Sequence, residues 1–260
     1  MNESVIYEQR GGVAWIGFNR PKSRNAMTWE MYDALEAHCD RLSTDDDVRA
    51  VVLYGVGGEA FVAGTDITQF AHFSTPQDAL DYERRIERVV DKLETLNKPT
   101  IALIEGVCVG GGAALAMVCD FRYCTPSLKF GVPIAKTLGN TLSITNVSRL
   151  IDMVGIARTK EVLMRAHLLD ADEAQQAGLV NAVFASDVIV DEVTSLAEEF
   201  AQFAPLTLQA SKALIGRVQA QRRVALEAGD DWVSTCYMSD DFKSAVNKFV
   251  NKVPFDWIGR

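Results

Sequence analysis

Apolar residues recur along this chain with two different periods. Residues 13–18 form a short apolar run closed by Asn19-Arg20-Pro21, and residues 5–8 precede it as a hairpin partner. After a polar loop at 21–26 that carries Lys22 and Arg24, Thr28 is placed to cap a helix. Its apolar positions Tyr32, Leu35, Cys39 and Leu42 recur every three or four residues. The pattern then predicts a strand over 49–54 and a helix over 81–97 with Ile86, Val89, Val90, Leu93 and Leu96 on one face. Residues 128–131 read as another short strand, and 133–146 is polar and hydroxyl-rich. Helices are predicted around 156–166 and from a capping box at Asp170 and Glu173 to Gly178. From about residue 185 only helical spacing remains, over 188–203, 206–226 and 231–250, so an α/β core gives way to a helical appendage.

Two glycine turns interrupt this pattern. Residues 98–123, KPTIALIEGVCVGGGAALAMVCDFRY, run from a strand at 100–104 through Gly110, Gly111 and Gly112 into a helix at 113–118. Glycine lets another group approach the backbone closely, and the open N–H groups of a helix start favour anionic oxygen. The same logic recurs in Phe61-Val62-Ala63-Gly64-Thr65-Asp66-Ile67, where a short strand enters a turn with Thr65 or Asp66 as the next helix cap. Two such turns could aim two backbone N–H groups at one point. Gly55 to Ala60 matches the G-x-G-x-x-[GA] dinucleotide fingerprint, but Phe61-Val62-Ala63 and Gly64 replace the long helix that the fingerprint requires, so the stretch reads as a loop.

Composition narrows the function classes. The 260 residues are 48% hydrophobic and 23% charged, enough for one large domain or a main domain with an appendage. A net charge of -9 argues against a nucleic-acid partner, although a local basic pair could hold a small polyanion. The five cysteines, Cys39, Cys108, Cys119, Cys124 and Cys236, are odd in number, lie mostly in apolar runs and include no CxxC pair. That indicates reduced buried thiols, not a disulfide frame or a zinc site. No apolar run has the length of a membrane span, residues 1–12 lack a signal-peptide core and the final WIGR carries no targeting tripeptide, so the expected location is cytoplasmic.

Six blocks, NRPKSRNAM at 19–27, GEAFVAGTDI at 58–67, KPTIALIEGVCVGGGAALAMVCD at 98–120, LKFGVP at 128–133, DADEAQQAGLVNAV at 170–183 and SDDFKSAVNKFVNK at 239–252, together resemble the enoyl-CoA hydratase/isomerase, or crotonase, family. The resemblance implies an α/β, crotonase-like spiral of ββα turns over 1–195 that holds a CoA-thioester site. It implies a C-terminal helical trimerisation region over 196–260 and a homotrimer or dimer of trimers. It also implies an acyl-CoA substrate, with coenzyme A entering as part of the thioester, no permanently bound cofactor or metal, and no nucleic-acid or membrane partner. By the same resemblance the thioester carbonyl sits in an oxyanion hole made by the N–H groups of Thr65 and Gly111, each donor worth roughly 3 kcal/mol in the transition state. Arg24, Ala26, Ala63, Asp66, Ile67 and Gly110 would lie along CoA, joined by Lys252, the last from a neighbouring subunit.

One departure limits the reaction. Hydratases of the family activate water with two glutamates, and the corresponding positions here are Ala114 and Ile134. Neither moves a proton, and general acid–base catalysis is typically worth about 10²–10⁴-fold. Among substitutes, Glu87 reads as solvated, with Glu83, Asp91 and Glu94 on its polar side; Asp66 reads as an N-cap and Glu105 as a turn residue. His38 and His167 lack metal-ligand spacing, whereas His72 lies in a loop bordering the expected site, and an imidazole is the side chain best suited to proton transfer there. Asn140 and Thr141, with Thr137, Ser143 and Asn146, face the acyl chain by the resemblance; they offer hydrogen bonds but no ready base, and capping is their alternative use. The leading expectation is therefore a lyase or isomerase of acyl-CoA that stabilises a thioester enolate, with simple hydration disfavoured. Decarboxylation of a carboxylated acyl-CoA, its carboxylate oriented by Asn140 or Thr141, is the version that needs no strong base. A catalytically silent acyl-CoA-binding subunit and a nucleotide-dependent oxidoreductase resting on Gly55 to Ala60 are the alternatives.

Overall fold

The computed structural model, which describes residues 4–260, divides successive strands between two sheets and follows each pair with a helix. Strands β1 (Val5–Arg10) and β2 (Val13–Phe18) pair antiparallel. Helix α1 (Trp29–Thr44) comes next, with Thr28 accepting the Met31 N–H as the sequence predicts. Three repeats then follow. The first is β3 (Ala50–Gly55), β4 (Ala60–Ala63) and α2 (Pro76–Glu94); the second is β5 (Thr100–Ile104), β6 (Val107–Val109) and α3 (Gly111–Val118). The third is β7 (Phe121–Cys124), β8 (Lys129–Gly131) and the helices α4 (Ile134–Thr137) and α5 (Ile144–Met164). After α6 (Ala171–Gln176), strand β9 (Ala182–Val183) completes a six-stranded sheet in the order β1-β2-β3-β5-β7-β9, while β4-β6-β8 form a second sheet. Every pairing beyond the first is parallel, so this is the spiral of ββα turns that the resemblance implies.

A parallel sheet must be covered on both faces. Along β2 every residue is buried, and alternate ones enter different cores: Ala14, Ile16 and Phe18 join the main core with α1, α2 and α3, whereas Val13 and Trp15 face helix α7 (Ile189–Gln202) through its Ile189, Val193 and Ala197. The division expected at 195/196 therefore falls inside α7, between two of its buried residues. Helix α8 (Pro205–Ala220) buries none of its side chains within this chain. Helices α9 (Asp230–Met238) and α10 (Asp240–Asn251) return to the body, where Val233, Tyr237, Phe242 and Val246 pack with Phe70, Ala79 and Leu138.

Several elements differ from the sequence expectation. Strand β6 lies between β5 and the three glycines, too short at three residues to leave a periodic signal. Helix α2 starts at Pro76, five residues before 81, because Thr75 and Asp78 close a capping box around it. Helix α5 begins at Ile144, capped by Ser143, and contains a break at Gly155 (φ 74), so the predicted helix at 156–166 is its second half. The last predicted helix is two, divided at Ser239, whose hydroxyl accepts the Phe242 N–H. The Asp170–Glu173 capping box and the left-handed Gly178 are present as predicted. No helix among the described residues is long and apolar enough to cross a membrane, the five cysteines are unpaired thiols, and no cluster of metal-ligating side chains occurs among the described residues.

Candidate active site

Strands β4 and β6 lie side by side in parallel with Ala63 opposite Val109, so the two glycine turns leave the sheet at the same level. Gly64 (φ 89) and Gly110 (φ 54) take up left-handed backbone, and a Cβ on Gly110 would stand 3.4 Å from the Gly64 Cα. Thr65 and Gly111 are thereby neighbours: the Cβ position of Gly111 lies 3.6 Å from the Thr65 amide nitrogen. Both amides are open. Thr65 bridges Met27 in parallel, with Met27 N–H donating to Gly64 O (2.9 Å) and Asp66 N–H to Met27 O (2.9 Å), so the Thr65 N–H points the other way. Gly111 begins α3, where no preceding turn supplies an acceptor. Neither N–H has an acceptor among the described residues.

Gly112 is required for a different reason, since a Cβ there would meet Val62 O at 2.2 Å and force α3 off the small sheet. Behind the turns, the Thr65 hydroxyl lies 2.9 Å from Tyr32 Oη and 3.0 Å from Tyr82 Oη. Burial pushes both phenols well above their ordinary range, so they remain neutral hydrogen-bonding posts.

The turns open on a cavity of about 200 Å³ lined largely by apolar side chains, including Phe70, Ile86, Val132, Leu138 and Leu142. Ala63, Ile67, Gly110, Ala114, Ile134, Asn140 and Thr141 all border this cavity. The N-terminal loop runs beside it: Ala63 N–H donates to Arg24 O (3.0 Å), and Asn25, fully buried with φ 58, donates from Nδ2 to Val56 O (3.1 Å) and Ala60 O (2.8 Å). Arg24 and Ala26 therefore follow the edge of the second turn, with the Arg24 side chain in solvent. Gly55 to Ala60 is a tight link from β3 into β4 with no helix attached, which removes the structural basis for a dinucleotide site there.

Other expected residues lie elsewhere. His72 ends a short 3-10 turn, is exposed, and opens onto a separate hollow with Trp29 and Arg85. Lys252 caps α10 with its Nζ on Phe249 O (2.8 Å) and is not on the cavity of its own chain. Asp66 caps the 3-10 turn, accepting from Thr68 N–H (3.2 Å) and pairing with Arg20 (3.0 Å). Although burial raises its carboxyl, these hydrogen bonds bring it below the usual range, so it is a poor base. Ser143 caps the start of α5, whereas Thr137 and Asn146, the latter bonded to Ser143 Oγ, do border the cavity; His167 bonds Glu173 near the protein surface.

The polar side assigned to α2 needs correction. Glu87 is not solvated; it accepts from Thr145 Oγ1 (2.7 Å) and pairs with the buried Arg149 (2.7 Å), which also reaches Glu94. Glu83 is 8% exposed and lies on the cavity wall, its Oε1 accepting from Tyr237 Oη at 2.6 Å. Burial holds its pKa up at about 7, against the opposing effect of the Tyr237 hydrogen bond. The signal was present in the spacing: Glu83 lies three residues before Ile86 and seven before Val90, within the apolar stripe. Tyr237 also receives a hydrogen bond from Asn140 Nδ2 (3.0 Å), while Asn140 Oδ1 is buried with no partner among the described residues.

Comparison with known proteins places this geometry in context. The enoyl-CoA hydratase/isomerase family model matches residues 8–260. A short-chain-enoyl-CoA hydratase of Clostridium acetobutylicum is 32% identical over 250 residues, covering 96% of this chain and 95% of that one. A 2,3-dehydroadipyl-CoA hydratase of Escherichia coli is 30% identical over the full length of both chains. Among solved structures, an enoyl-CoA hydratase/carnithine racemase from Magnetospirillum magneticum superposes with a TM-score of 0.80 at 31% identity, covering 96% of this chain and 93% of that one. An enoyl-CoA hydratase/isomerase from Pseudoalteromonas atlantica does so at 0.85 and 29% identity, covering 98% and 100%.

Proposed function

The chain belongs to the enoyl-CoA hydratase/isomerase family, and from that premise we propose that it binds an acyl-CoA thioester and stabilises the enolate formed from it. The observation that carries this reading is the convergence of the open Thr65 and Gly111 amides at the mouth of an apolar cavity. A thioester oxygen between two fixed N–H donors gains more as it becomes an enolate than it does in the ground state, which is what lowers a barrier. Arg24, Ala26, Ala63, Asp66, Ile67 and Gly110, which line or flank the two turns, suit the pantetheine and adenosine ends of CoA, and Lys252 suits the CoA site of a second copy.

Simple hydration is not the reaction proposed. Ala114 and Ile134 border the cavity where the family resemblance calls for water-activating glutamates, and both are without a titratable group. Several relatives bear hydratase names, so the test is direct. Crotonyl-CoA hydration should run at least about 10²-fold below that of a hydratase carrying both glutamates, while calorimetry shows crotonyl-CoA bound. Hydration at full hydratase rate would overturn the reading. Binding without turnover of any CoA ester would favour a silent acyl-CoA-binding subunit.

The exposed apolar residues of α8, among them Leu206, Leu214, Ile215 and Val218, suit contact with further copies of the chain. Sedimentation should give a trimer or hexamer, and a stable monomer at micromolar concentration would contradict that assembly.

A further inference from the structure

We infer that Glu83 is the catalytic residue that moves protons in this site, taking one from C2 of the bound acyl thioester and returning it to the same carbon skeleton, with Tyr237 as its positioning residue. This rests on the thioester reading of the Thr65 and Gly111 turns.

Glu83 is the only carboxylate on the cavity wall among the described residues, and no histidine, lysine, arginine or cysteine shares that wall. It is a costly residue to place in the apolar stripe of α2, because a buried carboxylate normally needs a cation. Its neighbours on the same helix obey that rule, Glu87 and Glu94 both meeting Arg149, whereas Glu83 has no ion pair among the described residues. If its task were only to pin α9 to α2 through Tyr237, a neutral glutamine would do so without a buried charge.

The surrounding hydrogen bonds accommodate both protonation states. With Glu83 ionised, Tyr237 donates to it and accepts from Asn140 Nδ2. With Glu83 protonated, the carboxyl donates to Tyr237, whose O–H turns toward Asn140 and is accepted by Oδ1 once the amide rotates. In the ionised arrangement that oxygen is the buried atom left without a partner. The groups that face Glu83 are Tyr237 from α9, Tyr82 and Glu87 from its own helix and, through the field, Tyr32 from α1. Glu87 is held by Arg149 of α5.

One such group suffices for a double-bond shift. The C2–H bond breaks, its electrons pass into the thioester carbonyl as an enolate held by the two amides, and the proton goes to Glu83. In a 3-enoyl thioester the electrons return through C4, which takes the proton back from Glu83, and the double bond moves from C3–C4 to C2–C3. No water, oxidant or co-substrate enters, in keeping with a cavity that carries Ala114 and Ile134 in place of the paired glutamates of a hydratase and leaves Glu83 as its one carboxylate among the described residues.

The experiment follows deuterium incorporation at C2 of butyryl-CoA in D₂O and conversion of 3-hexenoyl-CoA to 2-hexenoyl-CoA, with binding measured in parallel by calorimetry. The wild-type protein should catalyse both, with a rate that rises with pH through a midpoint near about 7, as Glu83 becomes the base. Glu83→Gln should lose about 10²–10⁴-fold of both activities with Kd within a few fold of wild type. Tyr237→Phe should keep binding but shift the midpoint upward, since the hydroxyl that stabilises the carboxylate is gone. Retained exchange in Glu83→Gln, or wild-type protein that binds butyryl-CoA without exchanging it, would overturn the role of Glu83 while sparing the thioester reading. An unmoved midpoint in Tyr237→Phe would remove its positioning role. Absence of butyryl-CoA binding would instead sink the thioester reading itself, and the inference with it.

Discussion

Gly111→Ala should lower acyl-CoA turnover by about 10²–10³-fold, the typical effect of losing one oxyanion donor, while CoA itself continues to bind. The added Cβ would stand 2.5 Å from Tyr32 Oη, 3.2 Å from Thr65 Oγ1 and 3.6 Å from the Thr65 amide nitrogen. The phenol cannot yield without cost: Tyr32 is fully buried and holds the Thr65 hydroxyl, which Tyr82 holds from the other side. Relief must therefore come from moving one turn away from the other, and a misplacement of about 1 Å at a catalytic donor is enough to cost on the order of 10²-fold. The methyl also enters the space beside the Thr65 N–H, where the substrate oxygen would lie. Steady-state kinetics beside free-CoA calorimetry separates the two effects. Unchanged turnover would show that Gly111 is not part of the chemistry.

The second large effect concerns stability. Arg149→Met should destabilise the fold by about 3–5 kcal/mol, the usual consequence of leaving buried charges without their partner. Arg149 is 3% exposed and reaches Glu87 at 2.7 Å, Glu94 at 2.8 Å and Asn146 Oδ1 at 3.0 Å. Arg223 still serves Glu94 after the change, but Glu87 retains only the Thr145 hydroxyl. Arg149→Lys keeps the charge but not the forked donor geometry, so an intermediate loss is expected. Urea unfolding followed by far-UV circular dichroism measures the difference, and a loss below about 1 kcal/mol would mean that α2 and α5 are held together by apolar packing instead. A double change with Glu87→Gln should recover part of the loss, because the stranded charge is removed.

The two effects separate what the sequence makes legible from what it hides. Strands β2 and β5 coincide with their predicted bounds, because six and five consecutive buried residues leave a clear apolar run between polar ends. The Thr28, Asp170 and Gly178 end signals are equally local and equally visible. The convergence of the two glycine turns was readable as an expectation, since both are strand-to-turn stretches of one kind, but their adjacency depends on β6. That strand is too short to announce itself. Glu83 was hidden for another reason. Its spacing places it in the apolar stripe of α2, yet its chemistry suggests solvent, and only Tyr237, 154 residues further on, resolves the conflict. Glu87 was obscured in the same way by Arg149, and His72 was drawn toward the site by proximity in sequence that the fold does not keep.

The central claim is that the Thr65 and Gly111 amides grip a thioester oxygen. Isotope-edited infrared spectroscopy of butyryl-CoA labelled with ¹³C at the carbonyl tests it without reference to turnover. On binding, the carbonyl stretch should move to lower frequency than in free butyryl-CoA, and the shift should shrink in Gly111→Ala at saturating ligand. A bound thioester whose carbonyl frequency matches that in buffer, in wild type and variant alike, would contradict the claim.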